Sequence, residues 1–79
     1  MDDQRELTFG EKAVGLSFNP SGDPAVNNVK HGFAHLIDLM NDFRSLESTQ
    51  QGAKRHASTA ITQMEDAQMR AVKALTWKD

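Results

Sequence analysis

From Pro24 onward the apolar residues fall on a helical period. Val26, Val29, Phe33, Leu36, Ile37, Met40 and Phe43 recur at three- and four-residue steps, the spacing of a face that packs along another helix. This predicts helix A over 24–47. A neighbouring stripe, Gly32, Leu36, Leu39, Phe43 and Leu46, widens the apolar face beyond what one antiparallel partner covers, so a further covering surface is expected. The polar break Ser48-Thr49-Gln50-Gln51-Gly52 has the length that joins antiparallel helices, and helix B is predicted over 54–76. Its inward stripe is Ala57, Ala60, Ile61, Met64, Ala67, Gln68, Ala71, Val72 and Leu75. The alanines allow a close approach to the bulky side chains of helix A.

Ahead of helix A the pattern is weaker. Residues 1–7 are mostly polar without periodicity and are read as frayed. Thr8-Phe9-Gly10-Glu11 has the spacing of a capping box, which predicts a short helical turn ending near Gly15. Residues 8–23 then form an N-terminal arm, with Leu7, Phe9, Val14, Leu16 and Phe18 expected to dock it. The arm ends in the stiff segment Phe18-Asn19-Pro20-Ser21-Gly22-Asp23-Pro24. Its prolines fix φ, Gly22 permits a positive φ, and Asp23 is an N-cap before a proline at the first helical position. The expected fold is all-α: one domain over 1–79, a short helical arm followed by a long antiparallel helical hairpin.

Composition adds the need for help. A chain of 79 residues builds a core with a net stability of roughly 3–5 kcal/mol, so self-association is expected. The absence of cysteine excludes disulfides, a zinc ribbon and a thiol nucleophile. No apolar run approaches the ~20 residues that span a bilayer, and Met1-Asp2-Asp3 does not open a signal peptide. The expectation is a cytoplasmic protein without a membrane partner. The net charge of −2 is mixed along the chain, which argues against duplex nucleic acid as a partner. A small anionic ligand needs only a few placed cations. With no tyrosine, stacking on a base falls to Phe9, Phe18, Phe33, Phe43, Trp77 or a histidine.

Motifs for chemistry are sparse. His31 and His35 share a helical face with Asp38 and Asp42, but no Glu follows His31 as in a metalloprotease helix, and a solvated polar face accounts for them better. No metal or cofactor is expected. The serines lack an elbow motif and nothing places an acid behind a base, so no catalytic residue is assigned. Gly10 and Gly15 have phosphate-loop spacing without the following lysine or a preceding strand. Lys54-Arg55-His56 is a basic cluster of the kind that lies on solvated helix faces. Arg70 and Lys73, near Trp77, combine cations with an aromatic edge that could hold a phosphate and a base.

Taken in order, the segments 7–15, Phe18 to Asp23 with Val26, Val29 and Lys30, Ile37-Asp38-Leu39, Ala60-Ile61-Thr62, Ala67-Gln68-Met69 and Ala71 to Trp77 resemble the helical-hairpin domain of phage anti-CBASS and anti-Thoeris sponges. The resemblance implies an all-helical homo-oligomer, commonly a hexamer. Such a protein binds cyclic di- or trinucleotide immune signals in the infected bacterial cell and sequesters them without cleavage. It also implies Phe18 as the stacking residue, where better-known members carry a tyrosine, and Lys30 as the phosphate partner. Asn19 and Ser21 lie in the same segment as Phe18. Arg55, Arg70, Lys73 and Thr76 are secondary candidates on their chemistry, and Trp77 offers a second ring. A symmetric interface would supply one lysine and one ring from each protomer, with the Lys30 ammonium expected at the subunit edge. The alternative is a small self-assembling helical interaction protein with no nucleotide ligand. An enzyme built on the histidine face is a third reading.

Overall fold

The computed structural model describes residues 6–79, and these form three helices and no strand: α1 (Phe9–Ala13), α2 (Pro24–Ser45) and α3 (Gln51–Leu75). The fold is all-α, as the periodicity predicts. Most of the segment read as frayed, residues 1–5, lies outside the described residues; Glu6 and Leu7 carry no regular secondary structure.

The capping box forms around α1. Thr8 Oγ1 accepts from the Glu11 amide at 3.1 Å, and Glu11 Oε1 accepts from the Thr8 amide at 2.9 Å. Gly15, at φ 63°, ends the turn. Five residues are too few to hold a helix alone, so α1 depends on its seat against α2. Gly10 provides that seat: it is buried, and its amide donates to Asp38 Oδ1 at 2.7 Å. A Cβ at Gly10 would lie 2.1 Å from the Ala34 carbonyl oxygen. Only a glycine lets the two backbones come this close. Asp38 is therefore engaged by the arm, while His31 and His35 are exposed.

Helix α2 begins as expected, with the Asp23 carboxylate accepting from the Ala25 amide at 2.9 Å and Pro24 in the first turn. Gly22, at φ 68°, makes the preceding turn. The helix stops two residues short of the expected 47, because Leu46 is extended and the Phe43 carbonyl accepts from the Leu46 amide and from Thr49 Oγ1. Helix α3 starts three residues before the expected 54. A glycine in the first turn costs at most about 1 kcal/mol, so Gly52 does not delay it, and the Gln50 carbonyl accepts from the Lys54 amide at 2.9 Å. Near this end of the hairpin Arg44 Nη1 donates to Ser58 Oγ at 3.0 Å.

The core is the cluster Val14, Ala34, Ile37 and Ile61, flanked by Ala13, Leu16, Phe33, Met40 and Met64. It ties the arm and both helices together. Two arm residues expected to dock do not: Phe9 is partly exposed with the Arg44 guanidinium 5.4 Å from its ring centroid, and Phe18 is 72% exposed. The molecule spans 45 × 38 × 12 Å, a slab one helix thick. A single layer cannot cover both faces of its helices. Gly32, Leu36, Leu39, Phe43 and Leu46 accordingly all face solvent. Leu36 and Phe43, placed by periodicity on the packed face, belong to this exposed stripe instead, and Ala67 and Leu75 of α3 are exposed as well. No helix among the described residues is long and apolar enough to cross a membrane.

Candidate functional site

Five of the nine candidate residues converge on one concavity. Phe18, Asn19, Ser21, Lys30 and Thr76 line a cavity of about 210 Å³ with Pro20 and an apolar floor of Val26 and Val72. Its wall is the stiff turn before α2, and local hydrogen bonds set the turn's shape. Asn19 Nδ2 donates to the Asp23 carbonyl at 3.1 Å and to Asn27 Oδ1 at 3.0 Å. Ser21 Oγ donates to Asn19 Oδ1 at 2.8 Å and accepts from the Asp23 amide at 3.1 Å. Asn19 and Ser21 thus brace the loop that carries Phe18. Asn27 completes this brace, a role its place at an exposed helix position did not announce.

Lys30 is the unusual residue. It is 5% exposed, and its ammonium turns inward, donating to the Gly15 carbonyl at 2.9 Å and to the Phe18 carbonyl. The Phe18 ring centroid lies 5.5 Å from Nζ, within the range of a cation–π contact. No carboxylate forms an ion pair with it among the described residues. An ammonium has three donors, so two carbonyls leave one N–H unused. In the free chain the charge is held under the Phe18 turn rather than at an outer edge.

The other candidates surround this centre at different distances. Thr76 Oγ1 donates to the Val72 carbonyl at 2.8 Å, and Thr76 also lines a neighbouring cavity of about 220 Å³ with Ser21 and Trp77. Trp77 is 62% exposed; its Nε1 donates to Asp79 Oδ1 at 2.7 Å, and Lys73 Nζ lies 5.9 Å from the ring centroid. Arg70 and Lys73 line a separate open groove with Asp66 and Met69. Arg55 stands apart, about 30 Å from Thr76 along α3 at the helical rise per residue.

Sequence reasoning passed over Gln68. It lines a second cavity that shares Phe18, Lys30 and Val72 with the first. Its signal in the sequence was a polar residue within an otherwise apolar stripe.

No curated protein and no solved structure matches the chain. The family model described as Acb2/Tad1, hairpin domain, matches residues 11–76, which takes in the Phe18 turn, Lys30, both long helices and Thr76. The chain belongs to the Acb2/Tad1 hairpin-domain family, the phage anti-CBASS and anti-Thoeris sponges that its sequence resembles.

Proposed function

We propose that this protein is a homo-oligomeric sponge that binds cyclic oligonucleotide immune signals in the cytoplasm of an infected bacterial cell and holds them uncleaved. Phe18 stacks on a base and Lys30 meets a phosphate. The observation that carries this reading is the buried Lys30 ammonium, without a carboxylate partner among the described residues, beside an exposed ring at a cavity. A buried cation with no anion is costly, and a phosphate bound by its unused N–H would supply the missing charge. Membership of the sponge family supports the same assignment.

Size supports a shared site. About 210 Å³ is below the roughly 300–1,000 Å³ of pockets that enclose a whole small ligand. One base and one phosphate fit that scale better than a cyclic dinucleotide with two of each. A second copy related by a two-fold axis would bring the second ring and the second cation. The exposed stripe Gly32, Leu36, Leu39, Phe43 and Leu46 supports assembly, with a hexamer the preferred state by family. A self-assembling protein with no nucleotide ligand would use the same stripe, but it gives no role to the Phe18–Lys30 cavity.

Binding without chemistry has a direct test. The oligomer is incubated with cyclic di-AMP, denatured by heat, and the supernatant separated by chromatography. Intact cyclic dinucleotide should be recovered in full. A linear product that depends on His31 or His35 would favour an enzyme and overturn the sponge.

A further inference from the structure

Gln68 is 5% exposed, and its side-chain amide makes no hydrogen bond among the described residues. None of its polar atoms is fully enclosed without a partner. The amide therefore reaches open space, and the space beside it is a cavity of about 290 Å³ lined also by Val14, Phe18, Lys30, Met69 and Val72. Its donor and its acceptor are both open to a ligand in that cavity.

On the sponge reading, we infer that Gln68 pairs with the edge of the base that stacks on Phe18. A carboxamide pairs in two bonds with an edge that offers one donor beside one acceptor. Adenine offers N6–H beside N1 on its Watson–Crick edge and beside N7 on its Hoogsteen edge. Guanine offers only acceptors on its Hoogsteen edge, where O6 and N7 adjoin, but its Watson–Crick edge sets the O6 acceptor beside the N1–H donor and pairs with a carboxamide as well. No protein partner among the described residues fixes the amide's orientation, so it turns to match whichever purine edge arrives. Phe18 and Lys30 treat all bases alike, one contacting a π-face and the other a phosphate. Gln68 instead meets the edge of the base.

The test uses the full chain with Gln68→Leu, and with Gln68→Met as the variant closest in length. Affinities for cyclic di-AMP and cyclic di-GMP are measured by calorimetry, and melting temperatures are taken without ligand. Each variant should lose about tenfold or more on whichever of the two the wild type binds more tightly, the scale of one bidentate base contact. Melting temperatures should hold or rise, because no protein hydrogen bond is removed. Unchanged affinity in both variants, or a melting temperature lowered by several degrees in both variants, would overturn the assignment and leave the sponge standing. Failure of the wild type to bind either ligand would overturn both.

Discussion

Lys30→Met should weaken cyclic dinucleotide binding by about a hundredfold or more and loosen the turn from Gly15 to Phe18 in the ligand-free protein. Methionine keeps most of the apolar stem and removes the ammonium. A charge-assisted contact contributes about 1.5–3 kcal/mol, so losing one from each of two protomers removes about 3–6 kcal/mol if they act independently, hence the factor of a hundred or more. The second effect follows from the geometry of the free chain. The Gly15 carbonyl accepts from both the Phe18 amide at 2.9 Å and Lys30 Nζ, and the Phe18 carbonyl also bonds to Nζ. Without the ammonium two acceptors lose a donor, at about 1–3 kcal/mol for each one left buried and unpaired. Calorimetry on oligomers of verified mass reads the first effect, and faster hydrogen exchange at Phe18 reads the second. Wild-type affinity in this variant would move the phosphate contact elsewhere, with Arg70 and Lys73 in their own groove next to be tested.

Gly10→Ala should cost about 2–4 kcal/mol, the sum of overpacking against backbone and a weakened buried hydrogen bond. The added Cβ would meet the Ala34 carbonyl oxygen at 2.1 Å, an atom fixed in α2 that cannot rotate away. The arm would have to lift, stretching the Gly10 to Asp38 bond and drawing Val14 out of the core. For a chain of this size the melting temperature should fall by about 10–25 °C. Gly52→Ala is the control, since nothing lies within 4 Å of a Cβ there and the site is helical. It should be neutral or stabilising by about 0.5–1 kcal/mol. Equal melting temperatures for Gly10→Ala and wild type would mean that the arm is not seated through this contact.

The helices and their caps were legible in the sequence because they are set by neighbours in the chain. Thr8 with Glu11, Asp23 with Pro24 and the three- and four-residue spacing in α2 act within one or two turns. Tertiary placement was less legible. Periodicity marks Leu36 and Phe43 as apolar, but cannot say that α3 and the arm leave them uncovered. The Phe18 turn and Lys30 could be singled out by chemistry and resemblance, whereas the inward turn of the ammonium depends on carbonyls fifteen and twelve residues away. Gly10 belongs in the sequence to a local capping box, and its closest approach is to a backbone met only after folding. Gln68 falls in the sequence on an inward stripe, and a missing partner is visible only when all its neighbours are in place.

Native mass spectrometry of the full chain, alone and with cyclic di-AMP, tests the shared sponge most directly. A site built between subunits predicts an oligomer larger than a dimer, preferably a hexamer, that gains the whole mass of uncleaved ligand at one molecule for every two chains. A monomer at micromolar concentration, or an oligomer that takes up no ligand from a panel of cyclic di- and trinucleotides, would contradict it.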